Sequence, residues 1–120
     1  MALYETLPVY KDVYALILLI YEVTKEFLRE YKYTLGQDMK RDGMQLVRSI
    51  YRANKYQEKT VHLHQFQDDF ELLKLEIRLC HDLRLINTRR YSELIVLTEN
   101  IGRQVTGWRQ YAEKQESRNS

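Results

Sequence analysis

Cys80 and His81 stand side by side, a thiol next to an imidazole, and no other pair in this sequence comes closer to a nucleophile with its base. Neighbours on a helix diverge by about 100 degrees, so a helical segment would point these two apart. His62 and His64 flank Leu63, and a spacing of two on a helix aims them at different sides, which suits shared metal coordination poorly. Di-iron bundle enzymes need Glu-x-x-His so that carboxylate and imidazole meet one metal, and no Glu here has a His three residues on. Gly36, Gly43, Gly102 and Gly107 are isolated and form no phosphate-cradling loop. The expectation is therefore a protein without catalytic residues, metal, cofactor or small-molecule substrate.

Basic residues make the more informative pattern. The net charge is only +2, from 19 basic and 17 acidic side chains, so the total argues weakly for a nucleic-acid partner. The distribution argues more. Residues 34–60 hold six basic and three acidic side chains, while the stretches 1–33 and 61–87 are net acidic. Arg41, Arg48, Arg52, Lys55 and Lys59 are spaced by seven, four, three and four, which on one continuing helix aligns them in a stripe able to follow a phosphate backbone. Tyr51 and Tyr56 interleave with it and could stack on unpaired bases. The bland reading is an ordinary solvated face, with Asn54 to Thr60 breaking the stripe.

These residues need helices to position them. Four Gly and one Pro in 120 residues leave too little turn punctuation for a β-sandwich or barrel, and the length fits one domain over residues 1–120. After Pro8, the apolar spacing of Val13, Leu16, Ile17, Ile20, Phe27, Leu28 and Tyr31 predicts a first helix over Val9 to Tyr31. Tyr10, Tyr14, Leu18 and Tyr21 form a second stripe beside it. That is more apolar arc than one bundle core covers, and it predicts a subunit interface.

Thr34 as N-cap and the face Leu35, Met39, Gly43, Leu46, Val47, Ile50 and Ala53 predict a second helix over Leu35 to Ala53. From Val61 a third face runs through Leu63, Phe66, Phe70, Leu73, Ile77 and Cys80, flanked by the surplus stripe Leu72, Leu75, Leu79, Leu83 and Ile86. Asn87 reads as its stop and Thr88 as the next N-cap. The fourth helix then carries Tyr91, Leu94, Ile95, Thr98, Ile101, Val105, Trp108 and Ala112 to about Glu113, with a frayed tail over 114–120. Short connections force antiparallel neighbours, so the predicted fold is all-α, an up-down-up-down four-helix bundle.

Gly102 and Gly107 each cost a helix up to about 1 kcal/mol relative to Ala, which close approach of a neighbouring helix or subunit would explain. Trp108 reads as core or interface packing rather than a ligand box. The lone Cys80 reads as a buried, inert thiol. No basic leader with a cleavage site is evident, and Leu16 to Ile20 falls far short of the roughly 20 apolar residues that span a bilayer, so neither export nor membrane insertion is expected and the location expected is cytoplasmic.

The segment Leu72-Leu73-Lys74-Leu75-Glu76-Ile77-Arg78-Leu79-Cys80-His81-Asp82-Leu83-Arg84-Leu85-Ile86, with Thr88, Tyr91 and the run Glu99-Asn100-Ile101-Gly102-Arg103-Gln104-Val105-Thr106-Gly107-Trp108, resembles the accessory variability determinant (Avd) proteins of diversity-generating retroelements. These belong to the four-helix-bundle group historically labelled 23S rRNA intervening-sequence proteins. The most specific part is Ile-Gly-Arg-x-x-x-Gly-Trp near the end. The second helix lacks the Ser-Ile-Pro-Ala-Asn break of the intervening-sequence branch, which favours the Avd branch.

The resemblance implies a homopentameric ring with a positive surface that associates with the element's reverse transcriptase and with RNA or DNA. The partner enzyme would do the copying, and this chain would support mutagenic copying and retrohoming without catalysis. On this reading Arg41, Arg48, Arg52, Lys55 and Arg103 are the candidate nucleic-acid contacts, and Tyr10, Tyr14, Leu18, Tyr21, Gly107 and Trp108 the candidate oligomer interface. Five copies at +2 would carry about +10, which makes a modest monomer charge matter more. The alternative is a structural or adaptor bundle of the intervening-sequence group with no reverse-transcriptase partner.

Overall fold

The structure, a computed structural model, describes residues 3–119. A 3-10 turn at Tyr4–Thr6 leads into α1, Pro8–Thr24, where Pro8 opens the helix at a position whose N–H would have no helical partner in any case. A one-turn α2 at Arg29–Lys32 follows, then α3 (Leu35–Lys55), α4 (Thr60–Asp82) and α5 (Thr88–Arg118).

α1 and α4 each pack against both α3 and α5, so the four long helices form an all-α, up-down-up-down bundle with α1 diagonal to α4 and α3 diagonal to α5. Polar contacts set the antiparallel register. Gln104 Nε2 donates to Asp12 Oδ2 at 2.6 Å near the start of α1, and Arg90 pairs with Glu22 near its end. The periodic stripes meet in the middle: Val13, Leu16 and Ile20 of α1, Met39, Leu46 and Ile50 of α3, Leu63, Phe66 and Leu73 of α4, and Leu94 and Ile101 of α5 are wholly buried. Each such side chain contributes about 1.5–3 kcal/mol relative to exposure. Among the described residues no helix is long and apolar enough to cross a membrane.

Several expected boundaries shift. The first helix does not run unbroken to Tyr31 but stops at Thr24. Phe27 turns into the core and the chain crosses the bundle end, where Gly36 packs within 3.6 Å of Thr24 and Phe27 at the position a β-carbon would take. Thr34 precedes α3 without capping it, because its hydroxyl donates backward to the Glu30 carbonyl at 2.7 Å. Asn87, not Thr88, caps α5, accepting from Arg90 N at 2.8 Å.

α4 ends at Asp82, short of the apolar pattern. Leu85 N bonds to Cys80 O and Arg84 N to His81 O, the paired bonds of a Schellman motif, with Arg84 in the left-handed region at φ 62°. α5 outruns its expected end near Glu113 and stays helical through Arg118, where fraying was expected; Ser120 lies outside the described residues. Glu116 explains the extension, since its Oε2 accepts from Lys59 N, Thr60 N and Thr60 Oγ1 at 3.2, 3.1 and 2.7 Å. One carboxylate thereby ties the end of α5 to the start of α4.

Candidate functional site

On the outer face of α3, Arg48 and Arg52 are exposed, and no ion pair among the described residues engages either one. Arg41 lies on the same face but is held down: its Nε donates to Asp42 Oδ1 at 3.1 Å and its Nη1 sits 3.2 Å from Asp38 Oδ1. The bond to Asp42 raises the Arg41 pKa further. Lys55 places Nζ over the rings of Tyr51 and Tyr56 at 5.5 and 5.4 Å, and a hydrogen bond with Tyr51 raises its pKa. Lys59 leaves the stripe, because α3 ends at Lys55 and the Lys59 ammonium folds back onto the Ala53 and Tyr56 carbonyls at 2.7 and 3.0 Å. Arg41 and Arg48 rim a shallow groove of about 560 Å³ with Tyr4, Met44 and Tyr51 on its walls. Free guanidinium groups beside accessible aromatic rings can bind phosphates and stack on bases.

Arg103 is not part of this face. It sits on α5, diagonal to α3, donates to Asn100 Oδ1, and lines a groove of about 620 Å³ with Lys74, Gly102 and Gly107. A β-carbon on Gly102 would touch only Phe70, at 3.8 Å, and one on Gly107 would meet nothing within 4 Å. The close helix approach expected to explain these glycines is not made inside the bundle.

The α1 stripe is a continuous surface. Tyr14, Leu18 and Tyr21 are 51, 55 and 42 % exposed. Tyr10 is half-buried between Tyr4, at 5.3 Å edge-on, and Tyr14, at 6.1 Å stacked; Tyr4 in turn meets Tyr51 of α3 at 5.3 Å. This aromatic row joins the outer face of α1 to the basic face. On α4, Leu72, Leu75 and Leu79 are likewise exposed, as is Leu83 at its C-terminal cap. Because α1 and α4 are diagonal, the monomer carries unpartnered apolar strips on two opposite sides. Gly107 and Trp108 belong to neither strip: Gly107 is open on α5, and Trp108 packs half-buried against the end of the core.

The thiol and imidazole diverge. Cys80 is buried, its Sγ contacts Met39 Sδ at 3.3 Å, and burial pushes its pKa up to about 12. His81 stacks on Tyr91 at 4.1 Å and bonds Asp82 at 3.0 Å. His62 meets the Tyr56 ring and His64 lies 3.6 Å from Glu113, so these two also part company.

One polar pair escaped the reading of the sequence. Asp42 of α3 and Glu76 of α4 are both buried, and Asp42 Oδ2 and Glu76 Oε1 have no hydrogen-bond partner. Burial, then the neighbouring Asp42 carboxyl and its charge, push the Glu76 pKa up to about 8. A signal was present: Asp42 follows Met39 by three and precedes Leu46 by four, and Glu76 follows Leu73 by three and precedes Cys80 by four, so both carboxyls occupy core positions of their helices.

No curated protein matches this chain. A family model described as bAvd-like matches residues 8–112, from the start of α1 to the last buried residue of α5. That span takes in all four packed helices and the Ile-Gly-Arg-x-x-x-Gly-Trp segment, and the chain belongs to the bAvd-like family.

Proposed function

We propose that the chain is the non-catalytic accessory protein of a diversity-generating retroelement, acting in the cytoplasm as a ring of identical subunits that binds RNA or DNA and the element's reverse transcriptase. The observation that carries this reading is the family match over residues 8–112. Apolar strips on opposite sides support a head-to-tail contact, Tyr14, Leu18 and Tyr21 of one copy against Leu72, Leu75 and Leu79 of the next; such heterologous contacts close into rings when the rotation allows. The resemblance to Avd proteins makes five the expected number. Gly107, open in the monomer, leaves room for another backbone, and Trp108 is retained as an interface candidate.

Arg48 and Arg52 supply the phosphate contacts, with Lys55, Tyr51 and Tyr56 beside them and Arg41 as a weaker member. Arg103 would act from a separate corner of the bundle. Copying itself falls to the reverse transcriptase.

Light scattering of the purified protein, with and without a structured RNA at low and moderate salt, tests the reading. A pentamer that takes up RNA and releases it as salt rises supports it. A monomer, or a ring indifferent to RNA at low salt, would leave the bundle standing and favour the adaptor reading. Co-purification with the reverse transcriptase tests the remaining partner.

A further inference from the structure

The end of α5 projects past the start of α1. Asp12, in the second turn of α1, already meets Gln104, so residues from Trp108 onward have little of α1 beside them. Their inner face, with the turn between α3 and α4, encloses a cavity of about 420 Å³, within the roughly 300–1,000 Å³ range of ligand pockets. Trp108, Ala112 and Tyr111 give it apolar and aromatic lining, with Gln115, Glu58 and Glu116 beside them. Tyr111 is 63 % exposed.

The cavity lining is net acidic, with Glu58 and Glu116 against Lys59, while the chain as a whole is +2. Glu58 is exposed with no ion pair among the described residues. Glu116 is fixed by Oε2, bonded to Lys59 and Thr60, and these bonds hold its carboxyl below the usual range. The one cation in the lining, Lys59, has its ammonium engaged by the carbonyls that end α3. The last carbonyls of α5 add the negative pole of a 31-residue helix.

We infer that this cavity is a receptor for an arginine side chain presented by a partner protein. A planar guanidinium stacks on indole and phenol rings while its fork of donors reaches carboxylate and amide oxygens, which a compact ammonium does less well. Nucleic acid is the poorer fit, because its phosphates would approach two carboxylates and a helix C-terminus. The pocket requires no RNA, so it is separable from the nucleic-acid role; it does require Trp108 to face the cavity and not a neighbouring subunit, and arginine binding by the assembled protein tests that choice.

Trp108 is the sole tryptophan, and its emission reads the site directly. The full chain is titrated into the millimolar range with acetyl-Gly-Arg-Gly-amide, with the same peptides carrying citrulline or lysine, and with uridine monophosphate. A saturable change with the arginine peptide is expected, with the uncharged citrulline peptide at least about tenfold weaker and lysine between them. Glu58→Gln and Tyr111→Ala, both at exposed positions, are expected to weaken the arginine peptide severalfold with unchanged helix content. Equal binding of citrulline would reduce the cavity to an apolar groove. Tighter binding of the nucleotide would assign it to a base, and no saturable response to arginine would overturn the inference.

Discussion

Asp42 on α3 and Glu76 on α4 bring two buried carboxyls together inside the bundle. Ionised together they would leave Asp42 Oδ2 and Glu76 Oε1 buried and unpaired, with two like charges in contact. A proton on Glu76 removes the repulsion and supplies a donor whose hydrogen bond the Asp42 carboxylate could accept. The Glu76 pKa of about 8, against an ordinary 4.5, reflects that arrangement.

A pH dependence of stability follows. Between the ordinary pKa of Glu76 and its folded value, the folded chain holds a proton that the unfolded chain has released, so each step up in pH favours unfolding. The Glu76 contribution is full below about pH 4.5 and is lost as pH rises through about 8. Glu76→Gln keeps a donor for Asp42 without the titration. It should be the more stable protein at roughly pH 9, by on the order of 2 kcal/mol, and lose that advantage at roughly pH 4. Urea midpoints of both proteins across this range decide it, since groups common to both cancel in the difference. Parallel curves would mean that Glu76 carries no shifted proton.

Most of the bundle was legible from apolar spacing, because residues such as Leu63, Phe66, Phe70 and Leu73 recur at three and four and all end in the core. What escaped was set by partners distant in sequence. The break after Thr24 depends on Phe27 turning inward over Gly36, and no Gly or Pro announces it. The extension of α5 depends on Glu116 meeting Thr60, 56 residues away. The basic stripe was half legible: spacing aligned Arg41, Arg48 and Arg52, but it could not tell that Arg41 is tied to Asp42 and Asp38 while the other two are free of ion pairs. Asp42 and Glu76 sat in plain register among core residues, and their acidity hid them.

If Arg48 and Arg52 contact phosphates, each contributes a counterion-release step. Arg48→Ala and Arg52→Ala should each weaken duplex binding and reduce the slope of log affinity against log salt by about one. Arg41→Ala should move the slope less, its charge being already offset by Asp38 and Asp42. Equal slopes for all three variants and the parent would place the nucleic acid elsewhere on the protein.

Assembly can be separated from folding. Leu18 and Leu75 are each 55 % exposed on opposite helices, so Leu18→Glu or Leu75→Glu should change monomer stability by no more than about 0.5 kcal/mol. A charge buried in a head-to-tail contact would nonetheless disfavour the ring strongly. Light scattering should give monomers with full helical circular dichroism from either variant alone. If only one variant dissociates the oligomer, the two strips do not meet each other.

Arg84 ends α4 in the left-handed region at φ 62°, a conformation that costs a residue with a β-carbon about 1–2 kcal/mol and glycine almost nothing. Its N–H and that of Leu85 close the helix onto His81 and Cys80, so the backbone there is required by the cap. Arg84→Gly should therefore stabilise the folded chain by about 0.5–1 kcal/mol, the gain being reduced by the greater freedom of glycine when unfolded. A higher urea midpoint with an unchanged m-value is the expected result. A lower midpoint would show that the Arg84 side chain contributes more than its backbone costs.

Glu116 performs for α4 what a local N-cap residue performs for most helices. Its Oε2 satisfies the Lys59 and Thr60 N–H groups and the Thr60 hydroxyl, none of which has a side-chain cap from its own segment. Glu116→Ala would leave these donors to water and release the end of α5, costing about 1–2 kcal/mol. The loss should be local: amide exchange should quicken at Lys59, Thr60 and the last two turns of α5, while the core around Leu63 and Ile101 stays protected. The bond also holds the carboxyl below its ordinary 4.5. The Glu116 contribution is thus present above about pH 4.5 and lost as pH falls through the lowered value, opposite in sign to that of Glu76. A variant in which exchange accelerates uniformly would show instead that the tie between α4 and α5 supports the whole bundle.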